Sequence, residues 1–526
     1  MKMKVQSRPG KVRWRRSVVA ALLLPAALGV ATTTAEAQSN IDNNGSLTAV
    51  LVQAPSTLDP AKPVNTGPWP FMTSIYDRLV TRDDDNKLLP MVATKWAFSP
   101  DGKTFTMDLR RDVKFNDGTP LTSADAKASI LRAKTLPGSA WVAALGPIAS
   151  IDTPSPYQLK FNLSRPMGSL PALMATPAGM IINAKAIASG RNFATNPGRQ
   201  SGSGPMVVTK LVLNSRVDYA RADNDYWDPA ANRLAKMSLQ RVPESVARLN
   251  ALRSGQADVA TIKIETSSQA KSLAKQGAFI YKEKANSQVN TVFINRSGPL
   301  ADARVRLALN YAIDRQAMED ATDGDCQATS QVFTKGAIGF AAYLDNGYNY
   351  DPGRAKKLLA EAGYDNGVTV SLSVPSGAQP YEFLAPIMQQ QMAKAGIKLQ
   401  IRIKDPVSYT QQFLAGQDDM MFATIQNYVD PGLMLDLFYF GGQQVAKGIT
   451  QIRTLADQGQ DRTTSAKVWQ QKYRDISGIT QGQGLVIPTC SSKAQYLMTK
   501  KVGGFDRMPA QLDSASFEGR VLWKTK

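Results

Sequence analysis

Between Gly367 and Lys404 the chain changes its hydrophobic period twice. Val368, Val370, Leu372 and Val374 alternate with Thr369, Ser371 and Ser373, which predicts a strand with one buried face. Leu384, Ile387, Met388, Met392 and Ala395 then recur at helical spacing, and Gly396 is placed to end that helix. Alternation returns with Ile397, Leu399, Ile401 and Ile403 set against Lys398, Gln400, Arg402 and Lys404. Strand, helix and strand with short connections predict a right-handed crossover in a largely parallel sheet. Two more helices follow from their caps. Asp302 precedes the stripe Val305, Ala308, Leu309, Ala312 and Ile313, with Gly324 beyond its end. Asp351-Pro352 opens a helix through Ala355, Leu358, Leu359 and Ala362, stopped by Gly363. Between residues 46 and 220 short alternating runs such as Phe105-Thr106-Met107-Asp108-Leu109 sit among Gly, Pro and Asp turns, the texture of a strand-rich domain. The fold class is α/β, and nothing repeats at a fixed period.

The amino-terminal segment has a different design. Lys2, Lys4, Arg8, Lys11, Arg13, Arg15 and Arg16 form a basic stretch, followed by apolar residues from Val18 through Leu22-Leu23-Leu24 to Val30 and by Ala35-Glu36-Ala37. This is the three-part pattern of a secretory signal, cleaved after Ala37. The apolar run is too short to span roughly 30 Å of hydrocarbon. Arg15-Arg16-Ser17-Val18-Val19 loosely fits a twin-arginine signal, so either export route remains open. No later stretch reaches the length of a spanning helix, and the mature chain is expected to be soluble in a bacterial periplasm.

Composition narrows the chemistry. The 526 residues hold 62 Lys+Arg against 43 Asp+Glu, a net charge of +19 that falls to +13 without the signal segment. The basic residues are scattered, and a periplasmic address offers little nucleic acid, so none is expected as a partner. The length implies more than one domain. There is no histidine, which excludes Ser-His-Asp and Cys-His hydrolysis and His-ligated zinc or haem. Cys326 and Cys490 are the only cysteines, too few for a four-thiolate zinc site or an iron–sulfur cluster. In an oxidising compartment they are candidates for a disulfide, a pairing that sequence alone leaves open.

A series of motifs then runs through nearly the whole mature chain. Leu58-Asp59-Pro60 is followed by Ile75-Tyr76-Asp77-Arg78-Leu79-Val80, Trp96-x-x-Ser99-Pro100-Asp101-Gly102 and Val113-Lys114-Phe115-Asn116-Asp117-Gly118-Thr119-Pro120. Asp225-Tyr226-Trp227, Ala247-Arg248-Leu249-Asn250-Ala251-Leu252, Arg304 through Arg315, Ala362-Gly363-Tyr364 and Asp430-Pro431 continue it. In this order they resemble the family 5 extracellular solute-binding proteins, the dipeptide/oligopeptide-binding class that serves ABC importers. Locally, Ser99 to Gly102 and Asn116 to Gly118 are turn chemistry, and Arg304 to Arg315 predicts a helix with a basic outer face.

The resemblance implies a two-lobed periplasmic-binding-protein fold of the Venus-flytrap kind, with an extra small subdomain near 80–205 in the first lobe. The first lobe would hold 38–287 and 491–526, the second 294–487, with hinge crossings at 288–293 and 488–490. A small solute would lie between the lobes, and the membrane permease subunits of an ABC importer would read the closed form of a monomer. No cofactor or metal is implied. Peptide-binding members place an Asp where Asn427 stands, within Gln426-Asn427-Tyr428, and pair it with the ligand's amino terminus. Asparagine carries no charge, and Ser373 to Gln379 lacks the arginine that enteric dipeptide binders place ahead of the helix near Tyr381. A shifted register would give the acidic role to Asp430 or Asp436. Otherwise a neutral or polyhydroxylated solute, an opine-like conjugate or a peptide held by backbone contacts fits better. Asn65 and Thr66, and Trp141 as a stacking ring, are the further ligand-binding candidates, with Asn295 behind them.

Other chemistries leave weaker marks. Ser268-x-x-Lys271 and Ser272-x-x-Lys275 match a Ser-Lys hydrolase pattern but lack its partner motifs. Asp83-Asp84-Asp85-Asn86 suggests calcium, yet Lys87 and Leu88 break the loop pattern, and a turn between strands is the better reading. Gly202-Ser203-Gly204-Pro205 reads as a turn entering a strand. Presenting ligand to a sensor, or acting as a periplasmic chaperone, are the alternatives to transport.

Overall fold

In the computed structural model the alternating segment Val368–Pro375 is a strand, but both of its faces are buried. The reason is its place in the sheet: Ile397–Lys404 pairs parallel on one side and Met420–Gln426 parallel on the other. Its outward-reading serines are absorbed by neighbours, since Ser371 Oγ donates to Asp419 Oδ2 at 2.8 Å and Ser373 Oγ to the Met420 carbonyl at 3.1 Å. The helix between the paired strands is Tyr381–Ala393, and Gly396 takes a positive φ of 81° just before the return strand. The structure describes residues 40–63, 66–223, 225–231, 234–284, 288–345, 347–377, 380–405, 408–509 and 517–526. The expected signal segment and Asn65 lie outside them.

Three sheets organise the described chain. A six-stranded sheet runs in the order Cys326–Ala328, Val486–Ser492, Gln288–Ile294, Met420–Gln426, Val368–Pro375 and Ile397–Lys404. A seven-stranded sheet runs Phe279–Lys284, Ala494–Thr499, Val259–Ile262, Ser46–Leu51, Lys236–Arg241, Arg216–Arg221 and Met206–Val212. A four-stranded antiparallel sheet, Ala93–Phe98, Thr104–Leu109, Gln158–Leu163 and Ile148–Ser155, occupies the strand-rich stretch. Each large sheet centres a lobe. Ser46–Leu51 holds the first together, pairing parallel with strands far along the chain on both sides.

The chain passes between the large sheets twice. Phe279–Lys284 belongs to the seven-stranded sheet and Gln288–Ile294 to the six-stranded one. On return, Lys493 alone separates Val486–Ser492 from Ala494–Thr499. The two six-stranded members lie antiparallel side by side, with Val289 opposite Ser491 and a register shift after Asn290. Cys326 and Cys490 form a disulfide, their Cα atoms 5.2 Å apart, which ties the short edge strand Cys326–Ala328 to this pair.

The Arg304–Arg315 stretch departs from expectation. Asp302 does cap a helix, accepting from Arg304 N at 2.8 Å, but that helix is Ala303–Tyr311 and a second one, Arg315–Asp320, follows. Of its arginines only Arg304 is on the outside, paired with Asp302, so the expected basic outer face is reduced to one residue. Arg306 and Arg315 are buried and spend their N–H groups on carbonyls: Arg306 on Leu300, Ala301 and Gln483, Arg315 on Asn310 and Pro488. A five-donor guanidinium suits such a role, because buried carbonyls left unpaired are expensive. The helix opened by Asp351-Pro352 is found at Pro352–Glu361, with the Asp351 side chain accepting from Arg354 N.

Candidate functional site

The segment after Met420–Gln426 leaves the six-stranded sheet beside the crossing strand, since Gln426 pairs in register with Gln288. Gln426 Nε2 donates to Thr424 Oγ1 at 3.1 Å and keeps the side chain along its own strand. Asn427 is 2% exposed. Its Oδ1 accepts from Thr334 N at 2.9 Å and its Nδ2 donates to the Val332 carbonyl at 2.8 Å, so the amide braces the chain at 332–334. Tyr428 is buried next to it. Asp430 caps the short helix Pro431–Met434 through Gly432 N at 2.8 Å, is ion-paired with Arg462, and receives Tyr473 Oη at 3.4 Å. Asp436 lies in the π-helical turn Leu435–Tyr439, where Arg453 stands 3.9 Å from its carboxylate.

On the first lobe, Thr66 is buried and its carbonyl accepts from Trp69 N at 3.1 Å. Trp141 is also buried. Its Nε1 donates to the Pro60 carbonyl at 2.8 Å, and its ring packs at 6.1 Å from that of Trp69. Thr66 and Trp141 are thus brought together through Trp69, a residue sequence reasoning passed over. Trp69 Nε1 is a buried donor with no partner among the described residues. Asn295 has a structural position, donating to the Phe413 and Asp418 carbonyls at 2.8 Å each. One apolar cluster contains Trp69 and Trp141 together with Ile425, Tyr428 and Leu433, so packing is continuous from one lobe to the other.

Direct polar contacts join the lobes as well. The backbone N–H of Gly168 donates to the Gln460 carbonyl at 2.9 Å, Ser169 N to Gln460 Oε1 at 2.8 Å, and Gln460 Nε2 to Ser169 Oγ at 3.1 Å. Arg165 reaches Asp457 at 3.5 Å and Asp436 at 4.0 Å. Gly168 leaves room there for the Arg462 guanidinium, whose central carbon would lie 2.2 Å from an added Cβ. No local signal marks this contact in sequence, since its halves are 291 positions apart.

The remaining motifs resolve locally. Ser268 and Ser272 are exposed on the helix Ser267–Lys275, while Lys271 is engaged with Asp325 at 2.9 Å. Asp83 to Asn86 is the turn joining Val80–Arg82 to Leu88–Pro90. Gly202 and Gly204 let the turn before Met206–Val212 lie against the Ile75 backbone. Among the described residues no group of His, Cys, Asp or Glu is arranged to hold a metal, and no helix is long and apolar enough to cross a membrane. A small cavity between Ser330, Gln331, Tyr348, Gln481 and the apolar Val332 and Val486 has room for about one water molecule.

Residues 87–445, well over half the chain, match the bacterial extracellular solute-binding proteins, family 5 Middle. The chain belongs to that family. Among similar proteins, the family 5 chain is 28% identical over 356 residues to the glutathione-binding protein GsiB of Salmonella choleraesuis, covering 66% of this chain and 68% of that one. It is 26% identical over 409 residues to the periplasmic murein peptide-binding protein MppA of Escherichia coli, 73% and 75% of the two chains. A solved structure of AgaA from A. tumefaciens R10, in complex with agropinic acid, superposes with a TM-score of 0.80 at 27% identity over 92% of this chain and 98% of that one. These relatives are named as binding proteins rather than enzymes. The two-lobed fold expected of the family is the one observed.

Proposed function

We propose that this family 5 protein captures a small peptide-like or opine-like polar solute between its lobes and delivers it, chemically unaltered, to the permease subunits of an ABC importer. The family match carries the reading, and the relatives' named ligands, glutathione, murein peptide and agropinic acid, set the chemical range. In this reading the chain is exported, cleaved after Ala37 and works as a monomer. The lobes are 38–287 with 491–526, and 294–487, and they turn about 288–293 and 488–490. Supporting this division, the two crossing strands are neighbours in one sheet and each continues into the other. Thr66 and Trp141 form the first-lobe wall, and Gln426 and Tyr428 the opposing one. Asn427 acts by fixing the 332–334 chain that borders them. A solute touching both walls favours closure by its differential affinity for the closed form.

The test is native mass spectrometry of protein purified from a periplasm without refolding, then a thermal-shift panel of glutathione, the dipeptide Met-Leu, murein tripeptide and agropinic acid. A solute at 100 times its Kd adds roughly 2.7 kcal/mol to folded-state stability, a clear rise in Tm. The expected result is a retained or stabilising solute recovered intact. Absence of any adduct and any shift, or consumption of the solute, counts against this function.

A further inference from the structure

Lys271, left over from the Ser268-x-x-Lys271 pattern, reaches from one lobe to the other. It stands on the helix Ser267–Lys275, which leads into Phe279–Lys284 of the seven-stranded sheet, and its Nζ is 2.9 Å from Oδ1 of Asp325. Asp325 directly precedes Cys326–Ala328, the edge strand of the six-stranded sheet. The same oxygen accepts from Gln495 Nε2 at 2.8 Å, and Gln495 lies in Ala494–Thr499, again of the seven-stranded sheet. One carboxylate of the second lobe is thus held by two donors of the first. Its side chain is 6% exposed, and the buried Gln495 has no partner for its Oε1 among the described residues, so Asp325 is what orients that amide. A buried carboxylate is costly unless its charge and lone pairs are met, and here they are met from the other sheet.

The position of this contact gives it leverage. Cys326 pairs in register with Ser492, and Lys493 alone separates Ser492 from the first lobe's Ala494–Thr499. The disulfide to Cys490 fastens the residue after Asp325 to the strand by which the chain crosses back. Both crossings are drawn in. Lys271 also lies 6.0 Å from the centre of the Tyr281 ring, Tyr281 Oη donates to Glu283 Oε1 at 3.0 Å, and Glu283 pairs with Lys493 at 2.8 Å. In the six-stranded sheet Cys326–Ala328 flanks the crossing pair on one side and Met420–Gln426 on the other. Just beyond Gln426, Asp430 is ion-paired with Arg462 of the Gln460 seam. The lobes are therefore gripped on both sides of the crossing pair.

We propose that Asp325 is a positioning residue of the hinge: locked to the return crossing by the Cys326–Cys490 bond and to the first lobe by Lys271 and Gln495, it makes a third link between the lobes, and the disulfide acts on solute affinity through it. The inference rests on the solute-binding reading above and adds a control on that site. A link so close to the crossings holds the lobes in the arrangement whose walls meet on a solute. Without it the competent fraction falls, and the apparent affinity falls with it.

Affinities for the panel solutes are measured by calorimetry on wild type, Asp325→Asn, Lys271→Met, the Cys326→Ser, Cys490→Ser chain and that chain with Asp325→Asn added. Each is held at a temperature where it is fully folded, and small-angle scattering is recorded for each unliganded chain. Asp325→Asn and Lys271→Met are each expected to weaken every binding solute by a common factor of about 3–10 and to enlarge the unliganded radius of gyration. The two-serine chain is expected to lose at least as much. Adding Asp325→Asn to it should change affinity by less than about twofold, because a carboxylate the bond no longer holds has little left to transmit. Wild-type affinity and dimensions in Asp325→Asn and Lys271→Met, losses that multiply in the combined chain, or a loss confined to one solute overturns the assignment. Lys271→Met, at the half-buried end of the pair, decides the matter should Asp325→Asn not fold. If no solute binds wild type, the solute-binding reading itself falls, and the scattering comparison alone decides whether Asp325 links the lobes.

Discussion

Asp436 shows how a single carboxylate is shaped by the meeting of the lobes. Its side chain is 13% exposed and, among the described residues, accepts no hydrogen bond; Arg165 and Arg453 stand 4.0 and 3.9 Å away. Burial raises its pKa to about 6, against the pull of the two arginines and with a further push from Asp457 and Asp430. A carboxyl raised in this way is most stable protonated. Its contribution is fully present below its ordinary pKa near 3.8 and is lost as pH rises through about 6. At pH 7.5 the ionised group therefore opposes folding by on the order of 2–3 kcal/mol. Asp436→Asn is expected to raise the Tm at pH 7.5 and to leave it nearly unchanged at pH 4, read by calorimetric scans across that range. A lower Tm at pH 7.5 would mean the arginines depend on the charge. Little of this was legible in sequence, which named Asp436 only as a stand-in for Asn427. Asn427 itself is bound to Val332 and Thr334, more than ninety positions away, and no local period reports a partner at that distance.

At the scale of elements the reading succeeds where the cause is local. The caps at Asp302 and Asp351 and the strand–helix–strand unit from Val368 to Lys404 are fixed by neighbours within a few residues, and they appear where the pattern places them. It fails where the partner is remote: the buried faces of Arg306 and Arg315 answer to the Gln483 and Pro488 carbonyls. The strand Cys326–Ala328 is the extreme case, three residues at a sheet edge with only Val486–Ser492 beside it. It cannot persist on propensity, and the disulfide together with Asn290, whose Nδ2 lies 3.5 Å from Cys490 Sγ and 3.0 Å from Ser492 Oγ, holds it in register. The bond closes a loop of 164 positions, for which chain-entropy reasoning gives about 5 kcal/mol. A Cys326→Ser, Cys490→Ser chain is expected to lose a large part of that in urea unfolding, and hydrogen exchange at Cys326–Ala328 should speed first. Reduction of the wild-type chain should reproduce the loss; an unchanged urea midpoint would place the stability of this edge elsewhere.

For the molecule as a whole, the contact of 165–169 with 457–462 is the place to test what holds the lobes together without ligand. Gln460 uses its backbone carbonyl and both ends of its side-chain amide on this seam, taking Gly168 N on its carbonyl and exchanging two bonds with Ser169 through its side chain. Both side chains are buried, so the bonds are exchanged for water only when the lobes part. Each such bond contributes about 0.5–1.5 kcal/mol net, and losing two is comparable to the few kcal/mol that separate open and closed forms in a two-state protein. Gln460→Ala is therefore expected to enlarge the radius of gyration of the unliganded chain in small-angle scattering. It should also weaken every solute of the panel by a similar factor of roughly 5–30, since apparent affinity falls with the competent fraction. A common factor across solutes separates this seam from a residue that touches ligand. A Gln460→Ala chain of wild-type dimensions and wild-type affinity would show that the Arg165 ion pairs and the apolar cluster through Trp69, Tyr428 and Leu433 suffice to hold the lobes together.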